Sequence, residues 1–215
     1  MKIQYLGHAS FRLISDMGTT VVCDPYNSEM VGIDMPRVRT DVVTVSHHHD
    51  DHDCMDCVLG SPAVIDCEGQ CCADDIAITS VATYHDDVQG AKRGNNLVFC
   101  FVIDGLTVVH MGDVGCLDEN VIKRVSDCDV MLLPVGGVFT VDAITAKQYV
   151  DGARPKIVIP MHYKSKGHAF EIDGVDKFTD LFNKDDVEFS DGDTLTLYDV
   201  PQNDKTRVVV LQKFE

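Results

Sequence analysis

The sequence predicts a layered α/β fold in which two sheets pack together and helices lie outside them. The first half of the chain contains many short strand-like runs rich in Val and Ile. In the second half, strand-like runs alternate with helical patterns. The 215 residues are 45% hydrophobic, enough to bury a core, which excludes a disordered or fibrous protein. No repeat or linker divides the sequence, so we predict one domain over residues 1–215.

The predicted strands of the first half are bounded by Gly, Asp or Pro, which favour turns. They cover Ile3–Leu6, Phe11–Ile14, Thr20–Cys23, Val42–Ser46, Ala63–Ile65, Ile76–Val81, Leu97–Ile103 and Leu106–His110. The second half adds the strands Val130–Pro134 and Lys156–Pro160 and the helices Asp118–Val125, Asp142–Val150 and Val175–Phe182. Asp118 is a predicted N-cap, because its carboxylate can accept hydrogen bonds from the first helical turn.

Charge and composition narrow the functional class. The chain carries 18 basic and 35 acidic residues, and its net charge of −17 repels the phosphates of nucleic acids. Nucleic acid is therefore not the expected partner. No run of 18 apolar residues occurs and the N-terminus lacks an apolar signal core, so we expect a cytoplasmic protein without a membrane span. The nine cysteines, an odd number, are expected to stay reduced there.

The most informative segment is VSHHHDDH at residues 45–52, which contains the pattern HxHxDH. A chain of this composition would contain the pattern by chance about 0.002 times. An extended segment directs residues two apart to one side, so His47 and His49 can bind one cation. If a helix follows, Asp51 and His52 face a neighbouring position. Imidazole and carboxylate groups at this spacing suit Zn²⁺ or a similar divalent ion.

Three later predicted strands also lead to residues that commonly bind metals. In layered α/β folds, ligands gather at the carboxyl ends of strands. These strand ends carry Tyr84-His85-Asp86, His110-Met111-Gly112-Asp113 and Pro160-Met161-His162. A single His at a strand end is often structural, but three of them after a complete HxHxDH pattern favour one shared metal site.

The order of these motifs resembles the metallo-β-lactamase superfamily of metal-dependent hydrolases over nearly the whole chain. The resemblance implies a four-layer αββα sandwich with a metal site at one edge. It further implies that one ion is bound by His47, His49 and His85, the second by Asp51, His52 and His162, and both by Asp113. Shorter stretches resemble the small single-domain group related to ascorbate-6-phosphate lactonase, namely Tyr5–Phe11, Asp24-Pro25, Arg93–Asn95, Pro134–Gly137 and Pro160–Tyr163.

The implied cofactors are two divalent ions, with Zn²⁺ expected and Mn²⁺ or Fe²⁺ as alternatives. Such a site can activate water, so we expect hydrolysis of a small ester, lactone or phosphoester. Asp113 and Asp51 are the candidate catalytic residues, the first holding both ions and the second exchanging a proton. The alternatives are a nucleic-acid phosphodiesterase of the same superfamily and a catalytically silent metal-binding or interaction protein. A homo-oligomer is compatible with the sequence.

Three residues are predicted to lie beside the ligands, because a metal-bound His usually donates its other N–H to a carboxylate or carbonyl group. Asp24, at the end of an apolar strand, is the leading candidate. His8 and His110 lie in stretches that the related group also carries near its site. The alternative for both is a histidine buried in the core whose ring nitrogens are satisfied by hydrogen bonds.

Four residues are candidate contacts for a small-molecule substrate. Arg93 and Lys164 can bind an anionic group, with a solvated loop as the alternative reading. Gly137 and Thr140 can bring backbone N–H groups to a substrate near a helix N-terminus.

A set of cysteines follows the first motif, namely Cys54, Cys57, Cys67, Cys71 and Cys72. A CxxC pair followed by further cysteines can form a structural zinc site, but the second CxxC spacing is missing. Ordinary thiols are therefore the preferred interpretation.

Overall fold

The structure is a computed structural model that describes residues 1–200 and 205–213. The strands of this part are β1 Lys2–Gly7, β2 Ser10–Ile14, β3 Thr20–Cys23, β4 Val38–Arg39, β5 Val42–Thr44, β6 Val58–Leu59, β7 Ala63–Ile65, β8 Gly69–Ala73, β9 Ile76–Tyr84, β10 Asn95–Ile103, β11 Leu106–His110, β12 Val130–Pro134, β13 Ile157–Met161, β14 Val187–Phe189, β15 Thr194–Thr196 and β16 Arg207–Val210. The α-helices are α1 Ser28–Val31, α2 Glu119–Arg124, α3 Ala143–Ala153 and α4 Asp176–Thr179, with 3-10 helices at Met55–Cys57 and Lys184–Asp186. None of the helices described has both the length and the apolar character that crossing a bilayer requires.

Most of the strands form two large sheets, and β4 and β6 pair parallel in a separate two-stranded sheet. The first has the order β15-β1-β2-β3-β5-β7, and the second has the order β14-β16-β13-β12-β11-β10-β9-β8. In the second sheet, β8 to β11 pair antiparallel, whereas β11, β12, β13, β16 and β14 pair parallel. The carboxyl ends of β11, β12 and β13 therefore lie at one edge of the sheet.

The sheets pack against each other because alternate residues of their strands point to opposite faces. In β12, Leu132 enters the core between the sheets, whereas Leu133 packs on the outer side among residues of α2 and α3. In β3, Cys23 faces the same inner core, whereas Val22 packs on the outer side with Val31 of α1. The layers are therefore helix, sheet, sheet and helix, which confirms the predicted αββα sandwich.

All ten predicted strands are present, with small differences in their bounds. The Asp118 carboxylate accepts hydrogen bonds from the N–H groups of Asn120 and Val121, as predicted for an N-cap. The predicted helix Val175–Phe182 is α-helical only over Asp176–Thr179. The strands that were not predicted are β4, β6, β8, β14, β15 and β16. The residues of β8 are mostly exposed and carry no alternating apolar pattern.

Candidate metal centre

The seven predicted ligands lie together at one edge of the sandwich, each on the loop that follows a strand. Residues 47–52 follow β5, His85 follows β9, Asp113 follows β11 and His162 follows β13. The possible ligand atoms of these seven residues and of His8 form three overlapping groups within 4.8 Å: His47, His49 and His85; His47, His52 and Asp113; and His8, Asp51, His52 and His162. This arrangement is a His/Asp cluster able to bind metal.

Asp113 lies at the centre of the cluster. Its Oδ2 atom is 3.1 Å from Nε2 of His52 and 3.3 Å from Nε2 of His162. Nε2 of His85 is 3.5 Å away and Nε2 of His47 is 4.0 Å away. Four imidazole nitrogens from three different loops therefore point at one buried carboxylate.

Asp24 orients two of these histidines. Nδ1 of His52 donates to Oδ2 of Asp24 at 2.9 Å. The Ser46 hydroxyl donates to the same oxygen at 2.6 Å, so Oγ of Ser46 can accept from Nδ1 of His47 at 2.9 Å. In their neutral forms both histidines then direct an Nε2 lone pair towards Asp113, which is itself an acceptor. Facing acceptors repel each other unless a cation or a proton lies between them.

Several buried atoms of the cluster have no hydrogen-bond partner among the described residues. They are Nε2 of His47, Nε2 of His52, Nδ1 of His85, Oδ1 of Asp113 and both ring nitrogens of His162. Each buried polar atom without a partner costs about 1–3 kcal/mol. A metal ion would satisfy these atoms, and a set of imidazole and carboxylate donors fits Zn²⁺ or a similar divalent ion.

The electrostatics of the cluster favour positive charge. Burial opposes the charged form of His52, but the facing carboxylates of Asp113 and Asp51 outweigh it and raise the pKa of His52 well above its usual value. Burial also opposes ionisation of Asp113, yet His162 and His52 hold its pKa well below the usual range. Asp113 is therefore a carboxylate at neutral pH, and a metal ion would compete with the proton on His52.

The turn that presents Asp113 requires a glycine, and its backbone is held by the side chain of Asn96. Gly112 has φ +55°, and a Cβ atom there would collide with Oδ1 of Asn96 and Cβ of Ser46. The side chain of Asn96 accepts from the Asp113 N–H at 2.8 Å and donates to the Met111 carbonyl at 2.9 Å. Asn96 thus fixes the direction in which the central carboxylate points.

The structure places the two predicted neighbouring histidines differently. Nε2 of His8 is 3.3 Å from Oδ2 of Asp51, beside the cluster. Nδ1 of His110 accepts from the Gly112 N–H at 3.2 Å, and its Nε2 donates to the Ala9 carbonyl at 2.8 Å. Both ring nitrogens of His110 are therefore used by the backbone, which is the arrangement of a satisfied core histidine.

The chain after the HxHxDH segment does not form the helix that was considered in the sequence analysis. No α-helix follows His52; the chain makes a turn in which the His52 N–H donates to the His49 carbonyl at 2.8 Å. The Cys54 N–H donates to the Pro25 carbonyl at 2.8 Å, so it is unavailable for a helical hydrogen bond. The segment is thus bound to the loop after β3, and the turn alone directs Asp51 and His52 into the cluster.

The candidate substrate contacts lie in three loops. Arg93 lies over the Phe139 ring at 5.5 Å and donates to the Val138 carbonyl at 3.1 Å. Nζ of Lys164 donates to the Phe170 carbonyl and to Glu171. Lys164 is therefore already engaged, whereas no carboxylate in the described part of the chain pairs with Arg93.

Gly137 and Thr140 belong to a tight turn whose backbone groups bond to each other. The Gly137 N–H donates to the Val141 carbonyl at 3.2 Å, and the Thr140 N–H approaches the Gly137 carbonyl at 3.4 Å. Val138, between them, has φ +62°, which is strained for a β-branched residue. The exposed side chains of this turn, Val138 and Phe139, are better placed than its N–H groups to meet a ligand.

The cysteines after the first motif remain thiols. All nine cysteines are free, and the Sγ atoms of Cys54 and Cys57 are 3.4 Å apart. Among the described residues, no group of potential metal ligands contains a cysteine.

Three residues that support the site, Ser46, Asn96 and His168, were not predicted from the sequence. Ser46 and Asn96 are buried polar residues next to predicted ligands, and a polar residue at the end of an apolar strand is the signal that could have identified Ser46. His168, which contacts His8, lies in no recognisable motif.

Comparisons with known proteins agree with this fold and cluster. The sequence matches a beta-lactamase superfamily domain over residues 2–162. A UPF0173 metal-dependent hydrolase from Archaeoglobus fulgidus is 31% identical over 196 residues, 77% of this chain and 84% of the relative. A Thermotoga maritima structure, described as a Zn-dependent hydrolase of the metallo-β-lactamase superfamily, is 36% identical with a TM-score of 0.80, covering 98% of this chain and 99% of that chain. A metallo hydrolase from Ignicoccus hospitalis, 23% identical, shares the fold with a TM-score of 0.58 over 76% of this chain and 82% of its own.

An αββα sandwich whose strand ends gather histidines around an aspartate defines a metallo-β-lactamase-type metalloprotein. The chain belongs to the metallo-β-lactamase superfamily, as its motifs predicted. Within that superfamily it belongs to the family of UPF0173 metal-dependent hydrolases.

Proposed function

We propose that the chain is a dinuclear hydrolase that cleaves a small ester, lactone or phosphoester. The observation that carries the proposal is the convergence of unpartnered imidazole nitrogens on the buried Asp113 carboxylate. The first ion would be held by His47, His49 and His85, the second by Asp51, His52 and His162, and both by Asp113. Zn²⁺ is the expected metal, with Mn²⁺ or Fe²⁺ as alternatives. The names of the relatives, metal-dependent and Zn-dependent hydrolase, support this class of activity.

Two bound ions of this kind supply an acidified water molecule and a Lewis acid for a carbonyl or phosphoryl oxygen. The chain itself supplies a base. Burial opposes ionisation of Asp51, but His52 and a hydrogen bond from His8 outweigh it and lower the Asp51 pKa. Asp51 is therefore ionised at neutral pH, and its carboxylate can take a proton from the attacking water and return it to the leaving group.

The substrate cavity adjoins the first ligand group. A cavity of about 460 Å³ is lined by His47, His49 and Arg93 among others, a volume that suits a small molecule. A larger cavity of about 1190 Å³ is lined by none of the candidate ligands, so the reacting bond belongs in the smaller one. The Arg93 guanidinium is the cation available there for an anionic substrate group, and the Phe139 ring beside it offers an apolar surface.

Metal analysis combined with turnover tests the reaction. The assay uses a lactone, a thioester and a bis-aryl phosphodiester, with purified protein and the Asp113→Ala variant. The wild-type protein should contain two ions and hydrolyse at least one substrate, and the variant should lose both properties. Two ions without hydrolysis of any substrate would favour the catalytically silent alternative. An Asp113→Ala variant with both metal and activity would overturn the role of the cluster.

The two basic candidates can be compared directly. Arg93→Gln should raise KM for a phosphorylated substrate by about 10–100-fold relative to an uncharged ester, because a hydrogen bond to a charged group contributes roughly 1.5–3 kcal/mol. Lys164→Gln serves as the matched variant and should change this ratio less, since its ammonium group already binds Phe170 and Glu171. Equal effects of the two substitutions would contradict the assignment of Arg93.

A further inference from the structure

His168 is a buried histidine outside the candidate ligand set. The segment that carries it packs against the end of α1, where the Ala169 N–H donates to the Val31 carbonyl at 2.7 Å. This approach requires Gly32, which has φ +82°, because a Cβ atom there would lie 2.6 Å from the Gly167 carbonyl oxygen. The backbone of the segment that carries His168 is therefore held against α1 by contacts that involve none of the candidate ligands.

A series of hydrogen bonds connects His168 to the cluster through His8, and the first bond determines which atom donates in each of the others. The Phe170 backbone N–H, which can only donate, points at Nδ1 of His168 at 3.2 Å. Nδ1 must then be unprotonated, so the proton of the neutral ring is on Nε2, 3.0 Å from Nδ1 of His8. His8 accepts this bond at Nδ1 and carries its own proton on Nε2, 3.3 Å from Oδ2 of Asp51.

Burial keeps this chain of hydrogen bonds away from solvent. His8 is 1% exposed, His168 4% and Asp51 8%. The Phe170 ring covers both imidazoles, with ring centroids 5.3 Å from His168 and 5.7 Å from His8. Burial lowers the pKa of His168 to about 4, in agreement with a neutral ring. The direction of the hydrogen bonds is therefore set by the backbone and not by water.

We propose that His168 is a positioning residue that holds the His8 proton on Nε2, so that His8 donates to Asp51 and is not itself a metal ligand. Without this constraint His8 would qualify as a ligand, because its ring lies within 4.8 Å of ligand atoms of Asp51, His52 and His162. A protonated Nε2 cannot coordinate an ion, but it fixes one oxygen of Asp51 and leaves the other free. The inference rests on the proposed function only for the role of Asp51 as a ligand and base.

Nitrogen NMR of metal-free protein labelled with ¹⁵N-histidine tests the proton positions without any catalytic assay. We expect His8 and His168 each to show a protonated Nε2 and an unprotonated Nδ1. A protonated Nδ1 on His8 would overturn the proposal. Because the measurement needs neither metal nor substrate, its result is independent of whether the protein hydrolyses any compound.

Two substitutions at position 168 separate positioning from packing. His168→Gln keeps an N–H donor for Nδ1 of His8, whereas His168→Met has a similar length and no donor. The Met variant should populate both His8 tautomers and bind Zn²⁺ about 10-fold more weakly, the usual scale for residues that support ligands, while the Gln variant stays close to wild type. Equal weakening in both variants would assign His168 to packing alone and overturn the proposal. If the Met variant does not fold, the wild-type tautomers and the Gln variant decide the outcome.

Discussion

Replacing Asp24 by Asn should weaken metal binding without removing any ligand. The Asp24 carboxylate accepts three hydrogen bonds: from the Ser46 N–H at 2.8 Å, from the Ser46 hydroxyl at 2.6 Å and from Nδ1 of His52 at 2.9 Å. An Asn side chain offers one oxygen and one NH₂ group in the same place. Whichever way the amide is turned, at least one N–H or O–H donor of Ser46 or His52 faces another donor.

The expected rise in the metal Kd follows from these contacts. Loss of one hydrogen bond to a charged group costs about 1.5–3 kcal/mol, which corresponds to a rise in the metal Kd of roughly 10–100-fold. The His52 ring can relieve the clash by moving its proton to Nε2, but that proton then occupies the lone pair that faces Asp113. His47 is affected as well, because it is held through Ser46.

The assay is competition for Zn²⁺ against a chromophoric chelator at fixed pH. Asp41→Asn is the matched control, because Asp41 accepts from the Thr20 N–H at 2.8 Å and the Thr20 hydroxyl at 2.7 Å, at the opposite end of β3. The control should lower the melting temperature and leave the metal Kd unchanged. A folded Asp24→Asn protein with a wild-type Kd would refute the reasoning.

Three further predictions concern the surroundings of the site. The Asp86 carboxylate accepts hydrogen bonds from four backbone N–H groups of its own loop. Asp86→Ala should therefore increase amide hydrogen exchange in this loop and, by displacing Arg93, raise KM for an anionic substrate. Unchanged hydrogen exchange would contradict this prediction. The double variant Cys54→Ser/Cys57→Ser should retain the wild-type metal content by elemental analysis, and loss of one ion would indicate a cysteine site. Burial lowers the pKa of His168 in the folded chain to about 4. In the unfolded chain the same ring has its ordinary pKa of about 6.5, so it is protonated at a higher pH than in the folded chain. The contribution of His168 to the stability of the metal-free protein should therefore fall between these values by at most ~1.4 kcal/mol per pH unit, and urea unfolding of His168→Gln should show a shallower pH dependence than the wild-type protein.

The parts of the fold that could be predicted are those whose burial leaves a clear apolar pattern in the local sequence. Strands such as β12 and β13 are buried on both faces, so they appear in the sequence as continuous apolar runs. Strand β8 is mostly exposed at the edge of its sheet and carries Gly and Cys, so its pairing with β9 has no local signature. Helix α4 ends at Thr179 although its sequence continues a helical pattern, and the N–H groups of Leu181 and Phe182 donate to carbonyls three residues back.

The same distinction applies to the site. The candidate ligands could be identified because metal coordination demands particular side chains at particular spacings. His168 meets His8 across 160 residues of chain, and Asn96 acts through a turn on another strand. Such support is created by tertiary contacts and has no fixed spacing in the sequence. The tautomers of His8 and His110, which give the two rings different roles, likewise depend on backbone groups that only the folded chain brings near.

The buried atoms without partners around Asp113 link metal supply to the lifetime of the protein. An ion that binds only the folded chain shifts the folding equilibrium, by about 2.7 kcal/mol when its free concentration is 100 times its Kd. Chains that are short of metal spend more time unfolded and are open to proteases, so their abundance falls as well as their occupancy. A cell low in the metal would thus lose the protein itself, and total activity should decline more steeply than simple saturation of the site would give.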